Sequence, residues 1–497
     1  MDHLLFEDKI PNNFEGKNIN NDLNTQLDYT NNTNQLIKSL LNVQEPENKQ
    51  FRYFYPIVIT INACLSSFFV GYNLGVFNTM QDNLVVAFKW TDENKDFFIS
   101  TISSSVLWGA ILGSTTSGPV LRIFGRRNSY FIYNFLSTIG VSISVIFNEY
   151  VIICGRLIVG ISIGGYLSLN PIYINEYVPY EISGACGVSI EMMISFGVFM
   201  SYVLGFGLPN PDNQVVENRY WSFMFLFPIC MIVINQMILI FYLKKDTPKY
   251  LVLKSNKEAA FTLMKEIYID ESYIKYLIEN IEALEESKTD GSITFRQLLS
   301  KSFRKRFFIG ILANWGQQSS GVDIIIFYSN KIFNNNISVK LSTILTNILG
   351  FMLFFSNILT IFFIEKFGRR KILIFGNLMT LMCLVFVCIF YYLEVFIPIV
   401  FLFVILAFIN GLAVCPVSYL YSSDVLPDSG MGIANMFNIV SALITVQIFP
   451  FLIKSFLKIE GSLMIFVITN FFMLMMIIIF FKETKDKSPK EIEALFS

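Results

Sequence analysis

The sequence predicts an all-α polytopic membrane protein of twelve transmembrane helices in two six-helix bundles, and three observations predict it. Of 497 residues, 54% are hydrophobic and 15% charged, against roughly a quarter charged in soluble domains. Apolar runs of about 20 residues, the length that crosses a bilayer, recur along the chain. Short polar strings at the ends of these runs repeat after roughly 240 residues, as two parallel halves require.

Residues 1–50 are rich in Asn, Asp, Glu and Lys. They bury too little apolar surface to fold and read as a disordered tail without a cleavable signal. The apolar runs place spans at 57–80, 97–120, 128–147, 151–175, 186–208 and 220–243, an N-terminal bundle over 57–243. Residues 244–306 alternate charged residues with Leu263, Ile267, Ile274 and Leu277 at helical spacing, the pattern of short amphipathic linker helices. Spans at 307–333, 341–364, 371–393, 396–423, 430–455 and 461–481 make the second bundle, 307–481, and 482–497 form a C-terminal tail. A single break in helicity at the midplane is expected at Ser319 to Gly321, where small residues and glycine loosen the helix.

Lys and Arg concentrate in alternate loops: Arg122, Arg126 and Arg127; Lys366, Arg369, Arg370 and Lys371; and the linker. The positive-inside rule makes these loops and both termini cytoplasmic. A formal net charge of −1 leaves no general basic surface for nucleic acid. The seven cysteines have neither disulfide-framework nor metal-ligand spacing. The glycines from Gly160 to Gly165 sit inside an apolar helix, where they suit close helix packing rather than phosphate binding. No cofactor and no enzymatic chemistry are expected.

The internal echoes are specific. Phe124-Gly125-Arg126-Arg127 returns as Phe367-Gly368-Arg369-Arg370, Asn175-Glu176-Tyr177-Val178-Pro179 as Ser423-Asp424-Val425-Leu426-Pro427, and Lys245-Asp246-Thr247 as Lys482-Glu483-Thr484. These strings, with Gly71-Tyr72-Asn73 in span one, Gly155-Arg156 in span four and Gln317-Gln318-Ser319-Ser320-Gly321-Val322-Asp323 in span seven, resemble the sugar porter family of the major facilitator superfamily. The resemblance covers about residues 52–487 and is greatest to facilitative hexose transporters of animals and parasitic protozoa. It implies the major facilitator fold and a monomeric hexose carrier such as a glucose uniporter in the plasma membrane, with a sugar and the bilayer as partners.

The resemblance also assigns residues. Gln317, Gln318, Asp323, Glu191, Tyr419 and Asn438 map onto the sugar-contacting face. Amides offer both a donor and an acceptor to hydroxyls, although they equally serve to bond neighbouring helices. Glu191 and Asp323 are carboxylates where the family usually has amides, and Tyr419 replaces a tryptophan. Such carboxylates also suit a cationic or amine-bearing solute. Proton-driven relatives carry an aspartate at the position of Asn73, close to the arginine matched by Arg156. Asn73 does not titrate, which implies facilitated diffusion. The alternatives are a proton-coupled symporter of a sugar or charged metabolite through Glu191 or Asp323, with Arg156 as partner, and a non-transporting nutrient sensor. The sensor usually carries a long cytoplasmic extension, and only about 16 residues follow the last span here. At the cytoplasmic ends, Glu176, Asp246, Glu365, Asp424 and Glu483 lie near Arg126, Arg127, Arg369 and Arg370, and cross-half ion pairs are expected to latch the outward-facing state; the arginines otherwise only set topology. Ser183 and Met431 stand where the family usually has arginine, which implies a weaker latch.

Overall fold

Long apolar runs become helices because, in lipid, each backbone N–H and C=O needs a partner within its own segment. The computed structural model describes residues 50–209, 219–286, 303–334, 337–426, 428–455, 458–485, 487 and 489–496; most of the predicted N-terminal tail lies outside them. Among these residues no β-strand forms beyond an isolated bridge from Phe51 to Tyr268.

The N-terminal half comprises α1 (Phe54–Phe88), α2 (Lys95–Phe124), α3 (Arg126–Ser144), α4 (Glu149–Tyr177), α5 (Tyr180–Gly205) and the sixth span as α6 (Tyr220–Leu226) and α7 (Ile229–Phe241). The linker carries α8 (Pro248–Leu253), α9 (Lys257–Ile267) and α10 (Glu271–Glu286). The C-terminal half holds α11 (Arg304–Ser319), α12 (Val322–Asn334), α13 (Val339–Phe367), α14 (Arg369–Tyr392), α15 (Phe396–Ile409), α16 (Cys415–Val425), α17 (Asp428–Lys454) and α18 (Lys458–Phe480), followed by α19 (Pro489–Phe496). Ten helices among the described residues are long and apolar enough to cross a membrane. The two further spans escape that criterion for physical reasons: α3 opens on Arg126, Arg127 and Asn128, and span seven is divided into α11 and α12.

The break in span seven lies at Ser320 and Gly321, and Gly321 has φ of +72°, a backbone that a side chain disfavours. It is not the single irregularity expected. Span ten runs α15, a π-turn at Asn410–Val414, then α16. Pro416 explains the turn, because a proline ring clashes with the carbonyl four residues back, here Leu412. The Thr360 hydroxyl on α13 lies 3.1 and 2.9 Å from the Gly411 and Leu412 carbonyl oxygens, and its single hydrogen is shared among them and the Ser356 carbonyl of its own helix.

Close approach of α2 and α4 rests on small residues. A β-carbon on Gly160 would lie 2.1 Å from the Val106 carbonyl oxygen, and one on Gly164 2.1 Å from that of Ala110. Linker helices α8 to α10 bury Val252, Met264 and Ile274 in a small core of their own, and Leu263 and Ile267 join the core of the bundle. Gln50 and Arg52 fasten the start of the described chain there, through hydrogen bonds with Ile269 and Ile267.

Candidate functional site: a cavity between the two halves

The halves touch on the side away from the linker. Asn78 of α1 donates to Ser329 Oγ at 2.8 Å and accepts from the Asn330 amide at 3.2 Å. Asn334 donates to Asp82 at 2.6 Å, and Tyr202 of α5 donates to the Ile326 carbonyl at 2.8 Å. Asp96, at the start of α2, takes Lys331 of α12 at 3.3 Å and also Lys454 of α17. On the linker side the ion pairs among the described residues stay within a half.

The expected cross-half latch belongs to the outward-facing state, and in this conformation its residues pair within their own halves. Arg126 pairs with Glu176 at 2.6 Å, and Arg369 with Asp424 at 3.4 Å. Asp246 accepts from the backbone amides of Arg126 at 3.0 Å and Arg127 at 3.3 Å, and Glu483 accepts from those of Arg369 and Arg370 at 2.8 and 3.1 Å. Burial pushes the Asp246 carboxyl up, and the amides of Thr247, Arg127 and Arg126 pull it back down. The Arg127 side chain donates to the Leu243 and Leu239 carbonyls, and Arg370 to Ile478, so the two guanidiniums sit on the C-terminal ends of the sixth and twelfth spans, the last of each half. Glu365 is on α13, and its side chain lies outside the described residues. With the halves joined on the far side, Arg126, Glu176, Arg369 and Asp424 pair within their halves rather than across them.

Between the halves lies a cavity of about 140 Å³, and its lining includes Glu191 from α5, Gln317 and Gln318 from α11, Asp323 from α12, Tyr419 from α16 and Asn438 from α17. All six residues assigned by resemblance thus share one space. Asn438 is the hub of their hydrogen bonds. It accepts from Gln318 Nε2 at 3.0 Å and donates to Gln317 Oε1 at 3.1 Å and to the Asn314 carbonyl at 2.8 Å. Gln317 therefore faces the cavity rather than lipid, and these amides both bond neighbouring helices and line the space. The break at Ser320 and Gly321 carries Asp323 into the lining beside Gln318.

Coupling candidates lie apart from this cavity. Arg156 is fully buried in the N-terminal half, donates from Nη1 to the Asn73 carbonyl at 2.9 Å, and lies over the Phe225 ring. The Asn73 amide donates to the Phe69 carbonyl at 2.9 Å. Arg156 bonds the Asn73 carbonyl rather than Glu191 or Asp323 and is absent from the cavity lining, so the expected partnership is not seen in this conformation.

Sequence reasoning missed Asn314, Asn357 and Asn435, which also line the cavity. Asn314 donates to Asn435 at 3.1 Å, and Asn357 reaches Ser195 in the other half at 2.8 Å. A signal was present: Asn314 with Gln317 and Gln318, and Asn435 with Asn438, recur at three- and four-residue spacing on otherwise apolar helices. The far-side cluster of Asp96, Lys331 and Lys454 was also missed, since its members lie in three separate segments.

Comparison with known proteins gives a consistent result. Residues 59–496 match the family described as sugar (and other) transporter. Hexose transporter 1 of Plasmodium falciparum (isolate 3D7) is 30% identical over 457 residues, 86% of this chain and 89% of that protein. Glucose transporter GlcP of Staphylococcus epidermidis is 28% identical over 407 residues, 79% of this chain and 87% of its own. Among solved structures, the proton:xylose symporter XylE bound to 6-bromo-6-deoxy-D-glucose superposes with a TM-score of 0.74 at 21% identity, covering 89% of this chain and 99% of that one. The inward open conformation of XylE from E. coli gives 0.72 at 22% identity, with 89% and 100% covered.

Proposed function

The chain belongs to the sugar porter family of the major facilitator superfamily, an integral membrane sugar transporter, and from that premise we propose that it carries a hexose such as glucose as a uniporter. The observation that carries this reading is the amide network of Gln317, Gln318 and Asn438 on the wall of the central cavity. Amides meet sugar hydroxyls as both donors and acceptors, and a cavity bounded by both halves lets the same site face each side in turn. Gln318 Oε1 and Asp323 Oδ2 are buried without a hydrogen-bond partner, which leaves acceptors for a ligand.

Uniport is supported by Asn73, whose amide does not titrate and whose backbone carbonyl already takes the buried Arg156. The linker side is assigned to the cytoplasm from its Lys and Arg excess, in the plasma membrane, with the monomer as the working unit. Proton coupling through Glu191 or Asp323 is the competing reading, favoured by their position in the cavity. Purified protein in proteoliposomes decides between them. Uniport gives saturable, downhill glucose uptake that a protonophore leaves unchanged. Accumulation above the external concentration, collapsed by the protonophore, gives the coupled reading instead. Specific hexose binding with no flux gives the sensor.

A further inference from the structure

We propose that the cavity recognises an ammonium-bearing hexose, a 2-amino-2-deoxyhexose in its protonated form, in preference to the neutral sugar. This rests on the hexose-carrier reading and narrows its substrate class.

Two carboxylates from opposite halves face the same small space, Glu191 from α5 and Asp323 from α12. Among the described lining residues there is no lysine, arginine or histidine. Arg156, the buried cation of the N-terminal half, is directed to the Asn73 carbonyl instead. Asp323 is 7% exposed, and its Oδ2 has no hydrogen-bond partner. The side chain of Glu191 makes no hydrogen bond or ion pair among the described residues either. An unpaired carboxylate costs about 2.5–3.5 kcal/mol at membrane depth, and two in one cavity repel each other. Neutral hydroxyls would be served as well by amides, as Gln317, Gln318 and Asn438 already demonstrate in the same wall. What the carboxylates add is charge, and its complement is a cation on the cargo. An ammonium group between Glu191 and Asp323 accounts for both, while the amides keep the remaining hydroxyls. Because the two acids belong to different halves, such a cargo also neutralises charge at the interface that closes around it.

The test compares glucosamine with glucose and with 2-deoxyglucose, which lacks the amine at the same ring position. In proteoliposomes at pH 6.5, where the amine is largely protonated, radiolabelled glucose uptake is competed by each sugar. The expected result is inhibition by glucosamine at a concentration about ten-fold lower than that of 2-deoxyglucose. In Asp323→Asn and Glu191→Gln the ratio of the two inhibitory concentrations, read as competition of radiolabelled glucose binding where uptake is lost, falls towards one. Wild-type protein needs no variant to overturn the proposal: glucose uptake competed equally by both sugars rejects it and leaves the hexose reading standing. Sodium-stimulated glucose uptake without amine preference also rejects it and assigns the acids to a metal cation. Specific glucosamine uptake without glucose uptake keeps the proposal and rejects the neutral-hexose reading; absence of both from folded protein rejects both.

Discussion

Asn438 is the residue on which the cavity wall depends, because its one amide meets Gln317, Gln318 and the Asn314 backbone. In Asn438→Ala the Gln318 amide and Gln317 carbonyl lose their partner and turn to each other or to water. A lost hydrogen bond to a group left unsatisfied costs about 1–3 kcal/mol, and about 1.4 kcal/mol is ten-fold in affinity. Apparent hexose affinity is therefore expected to fall by about ten-fold or more in uptake assays, with insertion retained. Unchanged affinity would show that the amides bond only helices. That Gln317 and Gln318 line a cavity was readable because intramembrane polar groups are rare and stand out against apolar runs, whereas Glu191, Asp323, Tyr419 and Asn438 came from the family resemblance. Their connections were not readable: that Asn438 rather than Gln317 is the hub follows from the geometry of α11 against α17, which no local string encodes.

At the scale of elements, the two halves repeat a single device. Gly125 and Gly368, with φ of +84° and +81°, each open a third-span helix, and an acid from the end of the sixth span caps it. The acid supplies acceptors for exposed amides at a helix N-terminus, an arrangement typically worth about 1–2 kcal/mol. A β-carbon on Gly125 would lie 2.1 Å from Asp246 Oδ2. Gly125→Ala is thus expected to harm the fold twice, through its positive φ and by displacing the cap. Asp246→Ala removes the cap already, so the second substitution costs less in its presence. Thermal unfolding in detergent is expected to give a double mutant more stable than the sum of the singles by about 1 kcal/mol; strict additivity would contradict the cap. The repeat of this device was visible in the strings around Gly125 and Gly368, and so was the break at Gly321. The π-turn at Asn410–Val414 was not foreseen, because α15 reads as an uninterrupted apolar run. Its cause, Pro416, lies beyond the turn, and its remedy, Thr360, is on another helix.

For the whole molecule, what matters is which side of the cavity is shut, and charge decides part of that. The order of the spans was readable from hydropathy, but a conformational state is a balance between two arrangements of one sequence and leaves no pattern of its own. The far-side contacts show how the balance is held here. Asp96 is a single buried acid of the N-terminal half that meets two cations of the C-terminal half, Lys331 and Lys454. Opening that side parts Asp96 from both, whereas the linker-side pairs Arg126–Glu176 and Arg369–Asp424 remain within their halves. Asp96→Asn should therefore favour the state open on the far side. A loss of about 1–2 kcal/mol changes a two-state ratio roughly 5- to 30-fold. Asp92, whose side chain is 93% exposed and pairs only with nearby Lys95, is the control, because an exposed pair contributes little. Spin labels at the exposed positions Glu93 and Lys340, one in each half, in a cysteine-depleted background, report the far-side separation. Asp96→Asn is expected to populate a longer distance that the parent and Asp92→Asn show weakly. If all three proteins give one distribution, the asparagine contacts of Asn78 and Asn334 hold the far side closed by themselves, and the ion cluster is no latch.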